Sequence, residues 1–418
     1  MNQTQMEELA MNGGPKAKTG PFGSGRRFGE EEKRLLSEAI DSDVLFYVFG
    51  EKVKQMEEDF RKMYGMGFCA GCSSGTAAVH IAVGALGLAP GSEVITSSVT
   101  DMGTLTGLLY QNLIPRFADV DPVTYNMAPD SVEDLVGPRT KAIVVVHHAG
   151  LASDMDPILA TARKADIPVI EDCAQAFLTT YKGRLCGTMG DVSAFSLNHF
   201  KHITCGSGGM VMTDRTDLEE GIKLFVDKCY FRDGRKRNPY FLAPNYQMTE
   251  LQGAVAVAQI AKLEAIISRR VALGNRLRMG LEAIDGIVPQ RPPEGCVHTH
   301  FLLVVRIDRS KVAADPAMFG RALDAEGIPN EPNKITGGMP IYMYDVLKNR
   351  SVFPGGPFPF VSKDLRTNVE YRQGDCPEAE KAFEETFNLN INEFYTDQDI
   401  DEMIRGVAKV ADHYRARR

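Results

Sequence analysis

The strongest constraint on this 418-residue chain is a series of short, unbroken apolar runs separated by helical text. KAIVVVHHAG (residues 141–150), IPVIEDCA (167–174), DVSAFSL (191–197) and GGMVMTD (208–214) show little polar alternation, and SEVITSS (92–98) and PRFADVD (115–121) read as further strands. A strand with one wet face alternates; a strand covered on both faces does not. Helical segments such as SSGTAAVHIAVGALGL (73–88) and PILATARKAD (157–166) lie between them. The expected class is therefore α/β, with a mostly parallel sheet over about residues 60–215 and helices on both faces.

After one long helical stretch at residues 251–284 the texture changes to strands such as THFLLVVRI (299–307) and helices such as DPAMFGRALDAEG (315–327). This predicts a large domain with an N-terminal arm over residues 1–262 and a smaller α+β domain over 263–418. The arm, residues 1–30, is rich in Gly, Pro and Lys. Within it GSGRRFG (23–29) has the glycine spacing of a dinucleotide loop, but no strand precedes it, so it carries no such assignment.

Composition narrows the function. Hydrophobic residues at 44% and charged residues at 24% permit a large core and exclude disordered, collagen-like and coiled-coil chains. A net charge of −8 argues against nucleic-acid binding, and the basic run FRDGRKRN (231–238) reads as a solvated loop. No apolar run is long enough for a membrane span, and the N-terminal text lacks the apolar core of a signal peptide; a cytoplasmic protein is expected. Cys69 and Cys72 form one CxxC with no second pair at zinc spacing, so they read as reduced packing residues and no metal site is expected.

In parallel sheets ligands bind beyond the carboxyl ends of the strands. Three pieces of sequence fall there. Ser73, Ser74, Gly75 and Thr76 open a helix, where free N–H groups and small hydroxyls suit a phosphate, although the same text also makes an ordinary N-cap. Glu171 and Asp172 close an apolar strand, either as a site or as a structural ion pair. In FSLNHFKHITCGSGG (195–209), Lys201 follows Ser196 by five residues, and the glycines permit a tight turn. A lysine near a carboxylate in such a place can be nucleophilic toward carbonyls. A phosphate site, a strand-end aspartate and a lysine 29 residues after it (201 − 172) are the parts needed to hold pyridoxal 5′-phosphate.

These segments, with FADVDP (117–122), VIEDCAQA (169–176) and NYQMTELQGAVAVAQ (245–259), resemble the DegT/DnrJ/EryC1/StrS family of fold-type I aminotransferases. The likeness runs from LAMNGGPKAKTG (9–20) to INEFYTDQDIDEMI (391–404). It implies a seven-stranded-type large-domain sheet and a homodimer with shared sites. It also implies transfer of an amino group from L-glutamate or L-glutamine to a keto-sugar or keto-cyclitol, in secondary-metabolite (antibiotic) or cell-surface sugar biosynthesis. By resemblance, Lys201 carries the cofactor as an internal aldimine and moves a proton, and Asp172 holds the pyridine nitrogen protonated. Gln175 lies near the phenolic oxygen or the substrate, and Ser74, Gly75, Thr76 and Ser196 bind the phosphate. Asn245 reaches the phosphate of the neighbouring subunit. His300, Tyr342 and residues 46–50 are acceptor contacts, with a structural role for His300 the stronger alternative.

Three departures stand out. Where many relatives have a ring-stacking aromatic, this chain has Asp101 or Met102. The usual G-E-G-G is Gly206, Ser207, Gly208 and Gly209, and the arginine after N-Y is Gln247. Alternatives to transamination are a dehydratase or lyase acting on a related keto-sugar or aminocyclohexenone, and a non-catalytic cofactor-binding regulator. The sugar 3-dehydratases have histidine in place of the lysine, whereas here Lys201 is present and His202 is next to it.

Overall fold

The computed structural model describes residues 8–334 and 336–416. The apolar runs become strands β2 (Glu93–Ser97), β3 (Ile114–Ala118), β4 (Thr140–Val146) and β5 (Val169–Asp172). A short ribbon of β6 (Thr180–Tyr181) and β7 (Arg184–Leu185) precedes β8 (Val192–Ser196) and β9 (Gly209–Thr213). With β1 (Phe68–Cys72), seven of these form one sheet in the order β1-β9-β8-β5-β4-β2-β3. Strand β9 runs antiparallel to both neighbours; the other pairings are parallel.

The absence of polar alternation has the expected cause. In β4, Ala142 and Val144 join one buried cluster with Val94, Ile170 and Ala194, while Ile143 and Val145 join another with Ile95, Val169 and Phe195. The first face is covered by helices including α3 (Gly75–Ala85), α4 (Met102–Tyr110) and α7 (Thr216–Val226). On the second lie α1 (Glu30–Asp41), α2 (Lys52–Tyr64), α5 (Pro129–Leu135), α6 (Met155–Ala165) and α8 (Glu250–Ile260). Strand β1 is missing from the sequence expectation because FCAGC is short and its cysteines resemble a motif. Cys69 and Cys72 are free, buried, and packed into opposite faces of the sheet.

The long helical stretch is two helices rather than one. Helix α8 ends at Ile260, α9 (Leu263–Glu282) begins after two intervening residues, and their axes differ by 54°. The text between them, Ala261 and Lys262, contains no helix breaker. The bend comes from tertiary packing: α8 lies against α1 and α2 under the large sheet, while α9 packs on the C-terminal helix Asp397–His413. Beyond it, β10 (Ile287–Pro289), β11 (Leu302–Ile307), Thr386–Asn390 and β12 (Glu331–Pro332) make an antiparallel sheet. Its core joins α9 to α10 (Pro316–Ala325) and Asp397–His413 through Leu277, Phe319 and Val407. Among the described residues no single helix is long and apolar enough to cross a membrane.

The arm runs along its own chain's C-terminal lobe. Leu9 is buried there, and the Lys18 ammonium donates to Asp399 at 2.6 Å and to Glu402 at 2.8 Å.

Candidate active site

A cavity of about 360 Å³ opens at the carboxyl ends of the parallel strands. Its wall includes Asp172 from the end of β5, Ser196 from the end of β8, Lys201 from the loop after β8, and Ser74, Gly75 and Thr76 from the start of α3. The strand-end segments thus converge as their positions in sequence imply.

Asp172 is buried, with Oδ2 accepting from the Thr104 hydroxyl at 2.7 Å and Oδ1 from the Ala174 N–H at 3.1 Å. Thr104 is itself within 2.7 Å of the Thr100 hydroxyl, which fixes its orientation. Burial pushes the Asp172 carboxyl above its ordinary value, against the Thr104 and Ala174 hydrogen bonds and the Lys201 charge. Burial likewise pushes the Lys201 amine down, against Asp172 and Asp101. Neither group fully compensates the other, so this buried carboxylate gains most from a further cation that can hydrogen-bond to it. The Lys201 ammonium lies 4.7 Å from the centroid of the Phe301 ring, with the aromatic face toward it.

The opposite end suits an anion. Ser74 caps α3, its hydroxyl accepting from the Ala77 N–H at 3.0 Å, and the Gly75 and Thr76 N–H groups at the helix start have no acceptor within the helix. Gly75 is required by close approach: a Cβ there would lie 2.5 Å from Ser196 Cβ and 2.7 Å from its hydroxyl. Helix start and strand end are pressed together, and a cradle of small groups remains between them.

One strand residue earlier, Glu171 points away into a structural cluster. It accepts from the N–H groups of Gly187 at 2.8 Å, Met189 at 2.7 Å and Gly190 at 2.6 Å, and lies 2.9 Å from His147 Nε2. His147 Nδ1 accepts from the Ser153 N–H at 3.1 Å, which places the ring proton on Nε2, toward Glu171. The two neighbouring acids therefore divide the possibilities left open by sequence: Glu171 is the structural pair and Asp172 faces the cavity.

The chain matches the DegT/DnrJ/EryC1/StrS aminotransferase family over residues 26–355. It belongs to that family. It is 30% identical to the spore coat polysaccharide biosynthesis protein SpsC of Bacillus subtilis, over 91% of this chain and 95% of that one. The fold is similar to that of an aminotransferase from Psychrobacter cryohalolentis, with a TM-score of 0.82 and 25% identity, covering 94% of this chain and all of the other (100%). The structure of 3-amino-5-hydroxybenzoic acid synthase also superposes with a TM-score of 0.82, at 24% identity over 95% of this chain and 100% of that one. The fold is that of the fold-type I aminotransferases, and pyridoxal 5′-phosphate is the cofactor of the family.

The residues present fit that cofactor. A buried, undercompensated carboxylate suits a protonated ring nitrogen, a buried amine suits an aldehyde, and the cradle at α3 suits a phosphate. Gln175 also lines the cavity, with Oε1 held by the Ala149 N–H at 2.8 Å. Of the two residues in the ring-stacking position, Asp101 lines the cavity and caps α4 through the Gly103 N–H at 2.8 Å. Met102 instead packs against the core beneath α4 and is not part of the cavity wall.

Besides Met102, the segment 46–50 and three further expected residues lie outside this chain's cavity. Asn245 is exposed, on the segment that pairs with Asp227. His300 is buried at φ 49°, its ring 3.9 Å from that of His298 and against Gly274 of α9, where a Cβ would lie 2.2 Å from the ring. Tyr342 is buried and donates to Glu380. Sequence reasoning did not single out Phe301, Asn198 or Phe200, which do line the cavity. The one available signal for Phe301 is its place just before a strand of the small sheet, which core aromatics share.

Proposed function

We propose that this protein transfers an amino group from L-glutamate or L-glutamine to a keto-sugar or keto-cyclitol, as a homodimer with shared sites. The observation that carries this is the buried Asp172 and Lys201 pair in one cavity with the α3 cradle. Bound pyridoxal 5′-phosphate supplies an aldehyde and an electron-withdrawing ring that stabilises negative charge on the substrate carbon.

Lys201 Nζ attaches the cofactor and then serves as the base that removes and returns the substrate proton. Its lowered basicity in the buried site suits both roles. Asp172 keeps its charge next to the ring nitrogen, and Thr104 and Ala174 keep the carboxylate aimed. Ser74, Gly75, Thr76 and Ser196 hold the phosphate, joined by Asn245 of a second copy. Asp101 places a carboxylate where an aromatic ring would otherwise stack. Membership of an aminotransferase family and 30% identity to a polysaccharide biosynthesis protein support a sugar acceptor in cell-surface biosynthesis. The intact lysine favours transamination over sugar 3-dehydration.

Purified, cofactor-loaded protein mixed with L-glutamate should change its absorption spectrum and release 2-oxoglutarate, and the aminated form should then return to the starting spectrum with a keto-sugar or inosose. No spectral change with any amino acid would sink the transaminase assignment.

A further inference from the structure

The loop that carries Lys201, residues 197–208, has little regular structure of its own. Its internal backbone bonds include Lys201 N–H to Asn198 carbonyl at 2.9 Å and Cys205 N–H to Leu197 carbonyl at 3.2 Å. Carbonyls in such a loop need donors from elsewhere. One side chain supplies three of them. The Arg27 guanidinium donates to the carbonyls of His199 at 2.7 Å, His202 at 2.8 Å and Lys201 itself.

Arg27 belongs to GSGRRFG, the motif with no dinucleotide role, and the structure gives its glycines a purpose. A Cβ at Gly25 would lie 2.3 Å from the Phe394 ring, and one at Gly23 would lie 2.2 Å from the Phe394 carbonyl oxygen. The arm lies flush on Phe394, and the Gly23 N–H donates to Asp399 at 2.9 Å. The Arg27 carbonyl is held in turn by Gln259 of α8 at 2.9 Å.

The neighbouring Glu393 ties this contact to the other wall of the cavity. Its carboxylate lies 3.8 Å from Arg27 Nε and accepts from Arg270 at 2.8 Å, and both Glu393 and Arg270 side chains are more than nine-tenths buried. Arg270, on α9, also donates to the carbonyls of His300 at 3.3 Å and Phe301 at 3.2 Å. Phe301 is the residue whose ring faces the Lys201 amine. One carboxylate between two guanidiniums therefore holds both the backbone of the lysine and the backbone of the aromatic residue opposite it.

We propose that Arg27, Glu393 and Arg270 form a positioning latch that sets the Lys201 loop against Phe301 and preorganises the cavity for the cofactor; this rests on the assignment of Lys201 as the attachment residue. An arginine suits the task because its planar fork reaches several acceptors at fixed geometry, which lysine cannot do. Without Arg27, three carbonyls lose a charged donor and the loop gains freedom at the atom that must react.

The test compares wild type with Arg27→Ala, Arg27→Lys and Glu393→Gln. In cofactor-free protein, amide hydrogen exchange should speed up at least about tenfold in residues 197–205 for both Arg27 variants, with β4 and β5 unchanged. Glu393→Gln should loosen residues 197–205 and 299–301 together. The dissociation constant for added pyridoxal 5′-phosphate should rise at least about tenfold in each variant. Arg27→Lys guards against a fold failure of Arg27→Ala, because it keeps the charge and the stem. Unchanged exchange and affinity, or faster exchange spread evenly over the sheet, would overturn the latch. Borohydride reduction of loaded wild type separates the two claims. A label on Lys201 leaves the latch to stand or fall on the exchange data, whereas a label on another lysine removes the site assignment beneath it.

Discussion

Asp172, at the end of β5, and Asn126, in the loop after β3, are both buried polar residues, yet only one is fully occupied by its own chain. Asn126 donates to the Leu151 and Ala152 carbonyls and accepts from the His148 N–H. Asp172 accepts one hydroxyl and one N–H, although a carboxylate offers about four acceptor sites. Replacing it with asparagine keeps the shape and removes the charge. A charge-assisted hydrogen bond contributes about 1.5–3 kcal/mol, so Asp172→Asn should weaken pyridoxal 5′-phosphate binding by roughly 10- to 150-fold. Turnover should fall further than affinity, because the charge matters most when electrons flow into the ring. Spectroscopic titration and steady-state kinetics check both, and near-normal turnover would remove Asp172 from its role. At this scale the sequence was legible where chemistry and strand position coincide, as at Asp172, Ser196 and Lys201. It was not legible at Phe301, which lies 100 residues after Lys201 (301 − 201) and reaches the cavity only through the packing of a second sheet.

Among elements, the start of α3 and the end of β5 are constrained by different means. At α3 the constraint is volume. Gly75→Ala puts a methyl group into Ser196, and the helix start or the strand end must move. The variant should fold, since the clash is confined to one rim of the cavity, yet bind the phosphate group poorly. Affinity for pyridoxal 5′-phosphate should drop at least about tenfold while affinity for phosphate-free pyridoxal changes little. Equal losses for both ligands would mean that Gly75 does not shape a phosphate site.

At β5 the constraint is electrostatic. Burial pushes the Glu171 carboxyl up, but His147 and the N–H groups of Gly187 and Gly190 overcome this and hold it below its ordinary value. A carboxyl held low in the folded state stabilises the protein above its unfolded value, near pH 4.5, and that contribution is lost as pH falls through the folded value. Glu171→Gln should therefore cost about 2–3 kcal/mol at neutral pH, with the gap to wild type narrowing below about pH 4.5. Chemical denaturation at several pH values checks the sign. The apolar runs disclosed these strands because burial on both faces removes alternation. The bend between α8 and α9 escaped notice because it depends on partners far away in the chain, and strand β1 because FCAGC is short and its cysteines resemble a motif.

At the scale of the whole molecule, a single chain leaves large apolar side chains in solvent. Phe200, on the lysine loop, is 78% exposed at the cavity, and Leu242, three residues before Asn245, is 94% exposed. Large apolar side chains gain about 1.5–3 kcal/mol each on burial, so the proposed homodimer would gain by covering them. The described part of the arm is committed to its own C-terminal lobe, which leaves the segment around Asn245 as the stronger candidate for crossing between subunits. Mixing tests this. A Lys201→Ala chain lacks the amine, and an Asn245→Asp chain sets a negative charge against the phosphate. If Asn245 serves the partner's site, the mixed dimer has one site with both defects and one with neither. Random pairing makes about half the dimers mixed, so subunit exchange should restore up to about a quarter of wild-type activity per chain. If Asn245 serves its own chain, each mixed dimer has two defective sites and nothing is restored. Exchange is confirmed independently by mass spectrometry of the mixture, so absence of recovery with proven exchange and a severe Asn245→Asp defect would place the asparagine in its own subunit's site.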